Sequence, residues 1–173
     1  MRLRPSGETA TDADARTAIS YYREYFSDKG LFENELIPGV PALLERLKAA
    51  GKTLLVATSK PEDFSVRILE HFDLIKYFDF VAGSTMSSNL SADGGRTTKA
   101  EVIRHVLTSN NITDTSEVIM VGDRRHDVEG AAEHNIKTIG VLFGYGSREE
   151  LESNGAAYIA QTPKDILEVI EGA

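Results

Sequence analysis

The strongest constraint in this sequence is a repeated alternation between short apolar runs and segments with helical spacing. Thr53-Leu54-Leu55-Val56-Ala57-Thr58, Asp79-Phe80-Val81-Ala82-Gly83, Glu117-Val118-Ile119-Met120-Val121-Gly122 and Lys137 to Phe143 are nearly continuous in apolar residues. A half-exposed strand would alternate apolar and polar side chains, so these runs predict strands covered on both faces. Ala157-Tyr158-Ile159 predicts a minor fifth strand. Helices fill the intervals. Pro41 opens one whose face is Leu43, Leu44 and Leu47, and Gly51 closes it. Pro61 starts the next, with Phe64, Ile68, Leu69 and Phe72 inward. Thr98-Lys99-Ala100 leads a third, faced by Val102, Ile103 and Val106; a short one runs through Val128 and Ala132. Ser147 begins another short helix, and Pro163 to Ile170 is the last. Strand–helix alternation of this kind predicts an α/β fold: a Rossmann-like parallel sheet with helices on both faces and right-handed crossovers.

The N-terminal segment has a different character. Residues 1–11 are polar, without a period, and stay unassigned. A helix is expected from Asp12, capped by Thr11 or Asp12 and ended by Gly30. Ala18, Tyr22 and Phe26, flanked by Tyr21 and Tyr25, predict a packing face on it. Ser84 to Thr97 is a Ser/Gly-rich loop long enough to suggest function.

Composition narrows the function classes. The 173 residues suit one domain, or one with a small appendage. A formal net charge of −8 argues against a nucleic-acid binder, which needs basic surface. A small anionic substrate is compatible with it, because that responds to local charge. The absence of cysteine excludes disulfides and thiolate metal sites. No run approaches a membrane span, and Met1 to Glu8 has no apolar core of a secretory signal, so a cytoplasmic setting is expected.

In a parallel sheet the ligand lies at the carboxyl ends of the strands. Thr58-Ser59-Lys60, the Gly83-Ser84 loop reaching Lys99, and Asp123-Arg124-Arg125-His126-Asp127 follow three successive strands and should converge there. Asp123 and Asp127 lie four apart, after a strand ending in Val121-Gly122. Such a pair can give a hard cation one direct ligand and one supporting carboxylate; the alternative is a capping Asp followed by an ordinary surface Asp. Lys99 falls in the first turn of a helix, where the dipole opposes a cation and an anion would relieve it; the alternative is a solvated lysine. Thr58 can donate its hydroxyl to a phosphate oxygen or cap the helix before Pro61. Lys60, Arg96, Arg124 and Arg125 make this edge locally basic. His71, His105, His126 and His134 show no metal spacing and are expected in surface or packing roles. There is no Walker loop or nucleophilic Ser elbow, and Gly144-Tyr145-Gly146 lacks the third glycine of a dinucleotide fingerprint.

Thr58-Ser59-Lys60, Lys99 and Gly122-Asp123-Arg124-Arg125-His126-Asp127, in that order, resemble the second, third and fourth motifs of haloacid dehalogenase-like phosphatases. Tyr21-Tyr22-Arg23-Glu24-Tyr25, Gly51 to Pro61 and Gly144-Tyr145-Gly146-Ser147 are similar to the phosphoglycolate-phosphatase-like branch, and within it to bacterial 5′-nucleotidases of this type. The resemblance implies a Mg²⁺-dependent phosphomonoester hydrolase in which an aspartate attacks phosphorus and water cleaves the aspartyl-phosphate. Thr58 would bind the transferred group, with Ser59, Lys60 and Arg96 beside it. Lys99 would steady nucleophile and phosphate. Asp123 would be the direct Mg²⁺ ligand, and Asp127 would orient Lys99 or a metal-bound water. The substrate would be a small phosphorylated metabolite, a nucleoside monophosphate or a phosphoglycolate-like ester.

The first motif of that family, Asp-x-Asp-Gly-Thr at the end of an apolar strand, is absent. The sole Asp-x-Asp, Asp12-Ala13-Asp14, is followed by Ala15-Arg16 and matches the start of a cap helix instead. The resemblance therefore implies residues 12–36 as a remnant of a helical cap and residues 37–173 as a core without its first, central strand. A truncated enzyme, or an inert fragment that only binds phosphate, metal or a partner, are the two outcomes this implies. Unpaired sheet edges would favour self-association. A phospho-accepting receiver domain also sets Asp, Thr and Lys at strand ends, but there the acidic cluster comes first.

Overall fold

A computed structural model describes residues 29–85 and 95–172, with positions 11, 14, 17, 18, 20, 21 and 24–26 of the preceding segment. The chain divides into two compact units, Met1–Glu35 and Leu36–Ala173.

In the first unit the described positions from 14 to 26 are helical. Thr11 is the residue that caps the helix. Its N–H and hydroxyl donate to Asp14 Oδ2 at 2.8 and 2.7 Å, and the Asp14 N–H returns to Thr11 Oγ1 at 3.3 Å. Of the expected packing face, Phe26 is half-buried and Ala18 exposed, and the flanking Tyr21 and Tyr25 are exposed. The Tyr25 hydroxyl instead donates to Glu33. Tyr22 lies outside the described residues. A short 3₁₀ turn, Gly30–Phe32, follows.

The second unit runs α1 (Val40–Ala49), β1 (Leu55–Pro61), α2 (Glu62–His71), β2 (Phe80–Ser84), α3 (Lys99–Ser109), β3 (Ile119–Gly122), α4 (Arg125–Ala132), β4 (Lys137–Val141), α5 (Arg148–Ser153), β5 (Tyr158–Ala160) and α6 (Pro163–Glu171). Every strand pairing is parallel, as the apolar runs require. The start of α1 needs Gly39, whose φ is +89°, and its end needs Gly51 at φ +73°. There the Gly51 and Lys52 N–H groups return to Lys48 and Leu47 carbonyls. Strand β1 begins two residues later than the apolar run predicts and extends through Ser59 and Lys60 to Pro61. Its register against β2 slips between Ala57 and Pro61. Asp79 ties the two strand entrances together: its carboxylate accepts from the Leu54 N–H and Lys48 Nζ, each at 2.8 Å.

The parallel sheet is in two pieces, β1-β2 and β3-β4-β5. Helix α3 packs across both. Its Ile103 and Leu107 share a cluster with Ala57 of β1 and Met120 beside them in β3, together with Ala131 and Ile136. Its Val102 and Val106 pack on Ala82 of β2. A buried Val, Leu or Ile side chain contributes roughly 1.5–3 kcal/mol, so these four residues make α3 the main brace between the pieces. A second core lies under α1 and α6, where Leu43, Leu47 and Ile166 meet Ile139, Val141 and Ala160. In β4, residues 138–141 are all buried, whereas Val121 in neighbouring β3 is 41% exposed. The sides of β1 and β3 that face away from their paired strands carry no strand partner among the described residues. Among the described residues, no helix is long and apolar enough to cross a membrane.

Candidate active site

Lys99 is set by the way α3 begins. Thr98 caps the helix, accepting from the Glu101 N–H at 3.2 Å. Glu101 accepts in return from the N–H groups of Thr97 and Thr98, at 2.8 and 2.9 Å. These backbone donors hold the Glu101 carboxyl down at about 2. A depressed carboxyl stabilises the fold fully above its ordinary value near 4.5, and that stability fades as pH falls towards 2. Glu101→Gln is therefore expected to unfold at lower urea than the wild type at pH 7, with the gap closing between pH 4.5 and 2. Parallel urea titrations across that window check it; a gap independent of pH would refute it.

With the cap in place, the Lys99 side chain turns inward. Its Nζ donates to the Ala57 carbonyl of β1 at 2.8 Å and pairs with Asp127 Oδ1 at 2.7 Å. The two side chains are only 11% and 10% exposed. The dipole penalty on a cation in this first turn is thus opposed by a carboxylate of the chain itself.

Asp127 sits in the first turn of α4 and is buried. Its Oδ2 accepts from the N–H groups of Asp123 and Arg124, at 3.1 and 3.0 Å, while Oδ1 meets Lys99. Gly122 makes this approach feasible: a Cβ there would lie 2.3 Å from Asp127 Cβ. Of the two alternatives for this Asp, the surface one is excluded.

Asp123 is gripped from the far side by the Gly144-Tyr145-Gly146 loop, a contact that the motif resemblance did not indicate. The Tyr145 N–H donates to Asp123 Oδ2 at 2.7 Å. A Cβ on Gly144 would lie 2.3 Å from Asp123 Cβ, and one on Gly146 2.0 Å from the Asp123 carbonyl oxygen. Only glycines allow the loop to lie this close. Glu150 then locks the segment, accepting from Arg124 Nε at 3.0 Å and the Arg125 N–H at 2.9 Å. The Arg125 N–H, and then the Arg124 guanidinium, hold the Glu150 carboxyl below the usual range. The available signal was two glycines one residue apart at the carboxyl end of a strand.

Thr58 is half-buried and follows Ala57 directly, so it shares the edge where Lys99 is anchored. Its Oγ1 accepts from the Lys60 N–H at 3.2 Å; Ser59 and Lys60 are exposed. Arg96 is committed elsewhere. Its Nε donates to the Gly83 carbonyl at 2.9 Å and its Nη2 to Glu62 Oε2 at 2.7 Å, clamping the end of β2 to the first turn of α2. Lys99, Asp127, Asp123 and Thr58 are therefore brought together, and Arg96 is not shown among them. Residues 86–94 of the expected functional loop lie outside the described residues. His126 is exposed beside Glu129, His134 Nε2 bonds the Ala100 carbonyl at 2.9 Å, and His105 lies against Phe80. A recess of about 460 Å³ between α1 and α6, lined in part by Leu43, Arg46, Pro163 and Leu167, contains none of the four site residues.

As a metal site the arrangement is partial. Among the described residues no group of three His, Asp or Glu side chains surrounds a point. Asp123 keeps Oδ1 without a hydrogen-bond donor among them, and one carboxylate completed by water and substrate phosphate oxygens suits Mg²⁺.

A family model, haloacid dehalogenase-like hydrolase, matches residues 3–141. The chain belongs to the haloacid dehalogenase-like hydrolases. Homologues named 5′-nucleotidase and phosphoglycolate phosphatase are among its relatives, in keeping with the motif resemblance. The 5′-nucleotidase of Pseudomonas aeruginosa is 39% identical over 160 residues, 92% of this chain and 69% of that protein. Tyrosine-protein kinase PtkA of Mycobacterium tuberculosis is also 39% identical, and this chain spans half its length. A solved structure described as a predicted phosphatase from Clostridium acetobutylicum shares 46% identity and a TM-score of 0.83, covering 95% of this chain and 73% of that one.

Proposed function

We propose that this chain carries the phosphate- and metal-binding half of a Mg²⁺-dependent phosphomonoester hydrolase. Its substrate is a small phosphorylated metabolite, a nucleoside 5′-monophosphate or a phosphoglycolate-like ester, met in the cytoplasm. The observation that carries this is the Lys99 ammonium, buried between the Ala57 carbonyl and Asp127 at the carboxyl edge of the parallel strands. There a fixed positive charge stabilises phosphoryl oxygens without reorganising. Thr58 donates its hydroxyl to the same group, with Ser59 and Lys60 at the rim. Asp127 is a positioning residue, since both its oxygens are engaged within the protein. Asp123 holds Mg²⁺, which when bound offsets charge on the transferring group.

The nucleophile is the missing part: no Asp-x-Asp-Gly-Thr exists in the sequence. The proposed form is accordingly one that lacks the nucleophilic Asp. A second reading, an inert binder of phosphate, metal or a partner, is favoured by the same observation. The sides of β1 and β3 that carry no strand partner among the described residues also offer a second copy an edge for self-association.

Titration calorimetry with Mg²⁺ tests the metal assignment. The wild type is expected to bind weakly, and Asp123→Asn to lose about tenfold or more in affinity. Equal affinities would remove Asp123 from the metal site.

A further inference from the structure

We infer that Tyr145 is a specificity-determining residue whose ring stacks on a planar aromatic leaving group. This rests on the proposed phosphate site and extends it to the other end of the substrate. Among the large apolar side chains that are exposed, Tyr145 stands out at 91%. Exposed rings scattered singly over a surface need no explanation. Tyr145 differs because its backbone is locked while its ring is bare.

The lock has three parts. The Tyr145 N–H donates to Asp123 Oδ2 at 2.7 Å, which ties the residue directly to the candidate metal ligand. Gly144 and Gly146 lie against Asp123 with no room for a side chain on either. Ser147, immediately after, caps α5 by accepting from the Glu150 N–H at 3.1 Å, and Glu150 reaches back to Arg124 and Arg125. The ring therefore springs from a fixed point within one side-chain length of Asp123.

A phosphomonoester bound with its phosphoryl group between Lys99 and Asp123 has its leaving group pointing out of the strand edge. An anchored, uncovered ring is what a flat apolar group can stack on. Such a stack is sequence-tolerant among bases, because every base has a π-face. The predicted preference is for nucleoside or aryl phosphates over aliphatic ones.

Binding of adenosine 5′-monophosphate and ribose 5-phosphate in Mg²⁺, which carry adenine and a hydroxyl respectively at the anomeric carbon, tests this by calorimetry. The wild type is expected to favour the nucleotide about tenfold, the worth of one base–aromatic stack. Tyr145→Ala should bring that ratio close to one with ribose 5-phosphate affinity unchanged, because the backbone donor to Asp123 survives. Tyr145→Phe should keep the ratio. A wild-type ratio near one, or a ratio unaltered in Tyr145→Ala, overturns the role of Tyr145 and leaves the phosphate site standing. Failure of the wild type to bind either ligand overturns the phosphate site, and this inference with it. Circular dichroism of both variants should match the wild type, since the substituted side chain is almost wholly in solvent.

Discussion

The 173-residue chain is expected to show no hydrolysis of p-nitrophenyl phosphate or nucleoside 5′-monophosphates above buffer in Mg²⁺. Adding an apolar strand ending in Asp-x-Asp-Gly-Thr, together with a helical cap, is expected to raise turnover by on the order of 10³-fold or more. The reason is an inventory of carboxylates. Asp127 has one oxygen on Lys99 and the other on two backbone N–H groups. Asp123 has one oxygen on the Tyr145 N–H, and the other has no hydrogen-bond donor among the described residues. Asp14 accepts from the Thr11 N–H and hydroxyl at a helix start. Asp127 has both oxygens engaged and Asp123 one, so neither is free to attack phosphorus in line, and covalent catalysis requires such a group. The strand pairings leave room for one in the connectivity, because among the described residues β1 and β3 each lack a strand partner on one side. Turnover by the short chain at the rate of the extended protein, abolished by Asp12→Asn or Asp14→Asn, would defeat this expectation.

Replacing Asp127 by Ala is expected to lower the unfolding free energy by about 3–5 kcal/mol, measured by urea denaturation at pH 7. The substitution leaves the Lys99 ammonium buried with a single carbonyl partner, Ala57. It also removes the acceptor shared by the Asp123 and Arg124 N–H groups at the start of α4. The cost comes from an uncompensated buried charge, so the double variant Asp127→Ala/Lys99→Met should recover part of the loss. A change below about 0.5 kcal/mol for Asp127→Ala, the range of an ordinary surface substitution, would show that the pair is not buried in solution.

The order of strands and helices, their parallel pairing and the sheet edge that holds the site are set by the sequence alone. Unbroken apolar runs with Gly or Pro at their ends leave little choice of secondary structure, and parallel pairing then puts all carboxyl ends on one side. That is why Thr58, Lys99 and Asp123 were legible from three separate segments. The helix start was legible to within one residue, Thr11 or Asp12, because a cap and its partner lie within one turn, and the bonds between Thr11 and Asp14 settle it. Tertiary structure alone decided what each charge does. Lys99 meets Ala57, 42 residues away, and Arg96 turns to Glu62, 34 residues away. An arginine next to a basic edge is indistinguishable in sequence from one that clamps a strand to a helix. Packing alone also decided that Phe26 is half-buried while Ala18 and the flanking Tyr21 and Tyr25 are exposed. The grip of Gly144-Tyr145-Gly146 on Asp123 was hidden for the same reason. A glycine announces that something comes close, and only the folded chain says what.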